Sequence, residues 1–122
     1  MIYNKSMEER RQHQRFNNHV PVKICHEDGD IVTETANISR AGAYCRVSRY
    51  FMPMMKLKIH LLLPLRKNGK DASRKITIGG VVIRTEPIWG EDFYNIAIFF
   101  NDVSQRDSKV ISDYMDLYAE QV

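Results

Sequence analysis

A chain of 122 residues, 43% hydrophobic and 27% charged, can bury one core and has the make-up of an ordinary soluble globular protein. Its net charge of +3 is uneven: residues 1–19 hold four basic and two acidic side chains, residues 101–122 two basic and five acidic. That balance suits a small anion better than a long duplex. It comes with no apolar run near the roughly 20 residues of a membrane span and no secretory leader after Met1, so a cytoplasmic protein is expected.

Residues 1–19 are polar, lack a clear apolar period and read as a flexible basic arm. Val20, Val22 and Ile24 then alternate with polar residues as in a half-buried strand, and Glu27-Asp28-Gly29-Asp30 reads as a hairpin turn. The β-branched run Ile31 to Ile38 should pair back on that strand. After a tight connection from Asn37 to Gly42, Ala43, Cys45 and Val47 resume the alternation. The methionines at 52, 54 and 55 are expected to fill gaps in the core. Leu57, Ile59, Leu61 and Leu63 mark a fourth strand, which Pro64 is expected to stop.

Residues 66–75, with five basic side chains and the acid Asp71, read as a solvated polar loop. A fifth strand from about Ile76 to Thr85 carries Gly79-Gly80, the mark of a bulge or bend. Pro87, Trp89 and Gly90 suggest a packed turn. Phe93 to Phe100 is apolar on both faces and needs cover on both, which the last segment is expected to supply. There Ser104 and Asp107 approximate a capping box, and Val110, Ile111, Tyr114, Met115 and Tyr118 form one stripe at helical spacing. Six strands and one amphipathic helix argue for a closed antiparallel barrel, which leaves no exposed sheet edge, although periodicity alone leaves a sandwich equally open.

Cys25 and Cys45 lack metal-ligand spacing and are expected as free thiols, with no metal site. No nucleophile–base pair or phosphate-cradling glycine loop appears, so neither catalytic residues nor a cofactor are expected.

Two stretches carry the functional signal. Arg10-Arg11-Gln12-His13-Gln14-Arg15 contains R-x-x-x-R, and Asn37-Ile38-Ser39-Arg40-Ala41-Gly42 is N-x-S-x-x-G, beginning 22 positions after Arg15. Arginine forks onto phosphate oxygens and onto the O6/N7 edge of guanine. Asn37 offers an amide and Ser39 a hydroxyl, while Gly42 permits close backbone approach or positive φ. Either stretch alone also has a plain reading, as solvated charges or as an ordinary turn.

In this order, ahead of barrel-like strands, the two stretches make the chain resemble the PilZ domain, a bacterial receptor module for cyclic di-GMP. The resemblance runs from about Arg10 to the C-terminus. It implies a six-stranded antiparallel β-barrel with a C-terminal α-helix: an arm at 1–19, a barrel at 20–101 and a helix at 104–121. It also implies a cyclic di-GMP site formed by Arg10, Arg11, Arg15, Asn37, Ser39 and Gly42. Arg40 and Arg84 are secondary candidates, Arg84 alternatively pairing with Glu86. Arg10, directly before R-x-x-x-R, implies two stacked ligand molecules per protomer. The signal would pass to a downstream protein or through a homodimer. The competing readings are a PilZ-like adaptor without nucleotide affinity and an OB-type nucleic-acid binder. The second is disfavoured because no dense row of exposed aromatics is interleaved with Lys and Arg.

Overall fold

The computed structural model describes residues 19–121. Six strands, β1 (Pro21–Cys25), β2 (Ile31–Ile38), β3 (Gly42–Val47), β4 (Lys56–Lys67), β5 (Lys70–Pro87) and β6 (Tyr94–Asp102), precede helix α1 (Gln105–Gln121). All neighbours are antiparallel, and the order β1-β2-β3-β6-β5-β4 closes because β1 also pairs with β4. The expected barrel is therefore formed. The arm carrying Arg10, Arg11 and Arg15 lies outside the described residues.

Alternation turns one face of the strands inward, interrupted by register shifts in β2 and β5. Val22 and Ile24, Ala43, Cys45 and Val47, Leu57, Ile59, Leu61 and Leu63, and Ile96 and Ile98 all lie within one core cluster or at its wall. Phe51, in the β3–β4 connection, is wholly buried where β1, β3 and β5 end. Its ring meets His26 edge-on at 5.6 Å, and its carbonyl accepts a hydrogen bond from Thr85 Oγ1 at 2.6 Å. The corner between β2 and β3 and the helix lie at the opposite end.

Five expectations need correction. β4 does not stop at Pro64 but continues to Lys67, and residues 66–75 are no loop. They are the tip of a long β4–β5 hairpin, turned by Asn68 and Gly69 at φ 54° and 75°. β1 reaches β4 only as far as Leu61, so Pro64 sits beyond the barrel wall, on an edge where a residue without an N–H is tolerated.

The helix covers β4 and β5 rather than both faces of β6, and Phe99 stays 46% exposed on the barrel exterior. Val110, Ile111, Tyr114 and Met115 join the core as the stripe predicts. Ser104 caps the helix, its Oγ accepting from the Asp107 N–H at 3.0 Å.

Of the three methionines, only Met55 packs against the core; Met52 and Met54 are exposed. Trp89, read as part of a packed turn, is 98% exposed.

Both cysteines are free thiols. Burial pushes the Cys45 thiol up to about 12, so it stays protonated in the folded protein, whereas Cys25 is half-buried at the end of β1. Thiol titration with a soluble disulfide reagent at pH 8 is expected to modify Cys25 first and Cys45 only on unfolding. Simultaneous modification of both without denaturant would contradict this packing. Truncating Phe51 to Ala should lower stability by about 3–5 kcal/mol in urea titration.

Candidate functional site

The N-x-S-x-x-G stretch forms the corner where β2 passes to β3. Ser39 is fully buried, and its side chain is spent on the corner itself. Its N–H donates to the Gly42 carbonyl at 2.8 Å, its Oγ donates to the same carbonyl at 3.4 Å, and Oγ accepts from the Ala41 N–H at 3.2 Å. Ala41 in turn accepts from the Phe100 N–H at 2.8 Å, tying the corner to β6.

Gly42 is needed for close approach rather than for positive φ. A Cβ there would lie 2.2 Å from the Ile98 carbonyl oxygen, inside any permissible contact. Ser39 and Gly42 thus shape the corner and bring β3 against β6.

Asn37 faces the other way, and a β-bulge is the reason. Thr35 and Ile38 both point inward and are fully buried, three positions apart, because the β2–β3 register shifts between Thr35 and Asn37. The extra residue turns Asn37 to the outer face, opposite Tyr44. Across that face the register places Asn37, Tyr44, Ala97 and Arg84 in one row, with Gly42, Phe99 and Val81 in the next. Phe99 lies beside a residue with no side chain, so its ring remains open next to the corner.

Arg84 does pair with Glu86, its Nε 3.0 Å from Oε1. It also donates to the Tyr44 hydroxyl and lies over the Tyr44 ring, 5.6 Å from its centroid. Together these two side chains explain why the outward Ala97 is only 3% exposed. Arg40 is directed elsewhere. Its Nη2 meets Asp116 Oδ1 at 2.7 Å and its Nε donates to Ser112 Oγ at 3.0 Å, so it fastens the corner to α1.

The structure also shows where the N-terminal arm joins the barrel. Val20 is buried, its N–H donates to Thr35 Oγ1 at 2.9 Å, and its carbonyl accepts from the Thr35 N–H at 2.9 Å. His19 Nδ1 lies 2.9 Å from the Thr35 carbonyl oxygen. Thr35 therefore anchors the chain two positions from Asn37. Arg10, Arg11 and Arg15 themselves fall outside the described residues.

Thr35, Tyr44 and Phe99 were not singled out by sequence reasoning. Phe99 had a signal, the second apolar face of its strand. Thr35 had none, since a bulge is invisible to a period-two pattern. The outer face thus offers an amide, two aromatic rings and a guanidinium around the corner, groups able to stack on and hydrogen-bond a flat heterocycle. Among the described residues no group of three His, Cys, Asp or Glu side chains could hold a metal ion, and no helix is long and apolar enough to cross a membrane.

The sequence model of the PilZ domain matches residues 9–117. No curated protein matches by sequence. Among solved structures, the chain is similar to the Inhibitor of motility (MotI/DgrA) of Bacillus subtilis, with a TM-score of 0.75 and 20% identity over 92% of this chain and 52% of that one. It is similar to K. pneumonia MrkH in its c-di-GMP complex, with a TM-score of 0.68 and 21% identity over 92% and 54%. It is also similar to the PilZ domain of Escherichia coli YcgR with c-di-GMP, with a TM-score of 0.61 and 12% identity over 92% and 94%. The chain spans about half the length of the MotI and MrkH chains.

Replacing Gly42 by Ala is expected to cost roughly 1–3 kcal/mol, because the β3–β6 backbones must separate to admit the methyl group. Urea titration checks this. An unchanged midpoint would mean that the strands are not so closely apposed.

Proposed function

We propose that this chain, which belongs to the PilZ domain family, is a receptor for cyclic di-GMP rather than an enzyme. The observation that carries the reading is the meeting of arm and corner. Thr35 anchors residues 19 and 20 beside the bulge that turns Asn37 outward. Arg15 lies only four positions before His19, at most ~14 Å of extended chain, so the Arg15 guanidinium can reach a ligand seated at the corner.

In this reading Arg11 and Arg15 clamp phosphate and guanine edges from above. Asn37 hydrogen-bonds a base or ribose from the barrel, and Phe99 and Tyr44 supply apolar surface beside it. Ser39 and Gly42 act by holding the corner's shape. Arg84 flanks the site. Arg10 extends the clamp to a second, stacked ligand molecule, giving two per protomer. The MrkH and YcgR structures, both with c-di-GMP, support the choice of ligand. Ordering the arm over the barrel would then change the surface seen by a downstream protein. A cytoplasmic location fits that role.

A second reading, an adaptor with the same barrel and no nucleotide affinity, draws on one observation: Ser39, Arg40 and Gly42 all have structural partners within the protein. Calorimetric titration with cyclic di-GMP decides between them. Arg15→Ala is expected to weaken binding about ten- to hundredfold, as loss of a charge-assisted contact does. Asn37→Ala should weaken it without unfolding the corner, and Ser39→Ala should lower both affinity and stability. Undiminished binding by both Arg15→Ala and Ser39→Ala would remove this site assignment. Saturation at one ligand per protomer would remove the role given to Arg10.

A further inference from the structure

On the side of the barrel away from the corner, the outer faces of β1, β2, β4 and β5 form a second surface. A cleft of about 260 Å³ lies there. Pro21, Val32 and Leu62 contribute an aliphatic floor, and Lys23, His60 and Lys75 stand at its rim. Val32 is 78% and Leu62 42% exposed, although large aliphatic side chains gain from leaving water.

The charge around this floor is predominantly positive. Lys58 lies on the same outward register of β4 as His60 and Leu62. The hairpin that runs on past the barrel wall is neutral on this face, where Arg66 pairs with Asp71 at 3.6 Å, while Lys70 and Arg74 lie across from Lys67 and Leu63 on its other face. Asp30 is held by Lys23 at 3.4 Å, and Glu34 lies 3.9 Å from His19. Lys75 and Lys58 have no carboxylate within salt-bridge range among the described residues. The field registers on His60, whose pKa is held below its ordinary value by desolvation and then by Lys75, Lys23 and Lys58, with Asp30 opposing them.

From this arrangement we propose that the β1–β4–β5 outer face docks an acidic segment of another protein, one whose aliphatic side chains enter the cleft while its carboxylates meet Lys58 and Lys75. The floor argues for a protein over a nucleic acid: Pro21, Val32 and Leu62 are aliphatic, and the single imidazole of His60 at the rim is no row of stacking platforms, whereas aliphatic anchors fill the cleft directly. The lysines steer and orient, and the floor supplies the burial. The proposal does not rest on nucleotide binding, and its test needs no nucleotide.

The probe is a short synthetic peptide in which glutamates flank a pair of leucines, titrated into the full chain by NMR and calorimetry. Controls are the same peptide with the leucines changed to serine, duplex DNA, and phosphatidylglycerol vesicles. Binding is expected to the leucine-containing peptide alone, weakening as salt rises. Lys75→Glu should weaken it roughly tenfold, as should Leu62→Ser at an already exposed position. Peptide carboxylates near His60, whose ring Nδ1 lies 2.7 Å from Thr77 Oγ1, should raise its pKa, so that binding takes up protons and strengthens as pH falls through the His60 titration. No binding, equal affinity for the serine peptide, tighter binding to DNA or vesicles, or affinity unmoved by both substitutions would each overturn the proposal.

Discussion

The close approach of β3 to β6 at Gly42 is the constraint on which the rest of the structure turns. The Ile98 carbonyl occupies the space a side chain would need, so only a residue without Cβ lets the two backbones meet there. That contact sets where β3 begins. Ser39 then closes the corner by satisfying the Gly42 carbonyl and the Ala41 N–H, and Ala41 reaches across to Phe100. Buried polar groups without partners would be costly, so the corner's hydrogen bonds specify its shape as well as stabilise it. Arg40 extends the tie to α1, through an exposed ion pair worth at most about 1 kcal/mol.

Around this fixed corner the bulge at Thr35–Asn37 divides the labour. Thr35 is drawn into the core and holds the chain that enters from the arm, while Asn37 is turned out beside Tyr44. Two residues of one strand thus connect the arm, the core and the outer face. A ligand that met both the arm and Asn37 would bridge two segments which the fold already brings together at Thr35. Little conformational freedom would be lost on the barrel side.

Much of the barrel was legible in the sequence because several wall strands carry a clean period of two, as Val20-Val22-Ile24 and Leu57-Ile59-Leu61-Leu63 show. The helix was legible from the stripe Val110-Ile111-Tyr114-Met115. Its placement was not, since that depends on how far the β4–β5 hairpin runs past the wall. The Asn68-Gly69 turn announces that hairpin, but Pro64 and a cluster of basic residues resemble a loop until the open edge beyond Leu61 is known. The N-x-S-x-x-G stretch was legible as a motif, yet the separate roles of Ser39 and Gly42 inside and Asn37 outside require the register. The pairing of Arg40 with Asp116 joins residues 76 positions apart and leaves no local trace. Trp89 shows the same limit, since its exposure reflects loop geometry rather than residue type.

The central claim is that arm and corner act on one ligand. The most direct measurement follows the backbone amides of the full chain by NMR during titration with cyclic di-GMP. The account predicts that Arg11 and Arg15 in the arm, and Asn37 through Gly42 in the corner, respond along a single binding curve. Responses confined to one segment, or two curves with unrelated midpoints, would contradict it.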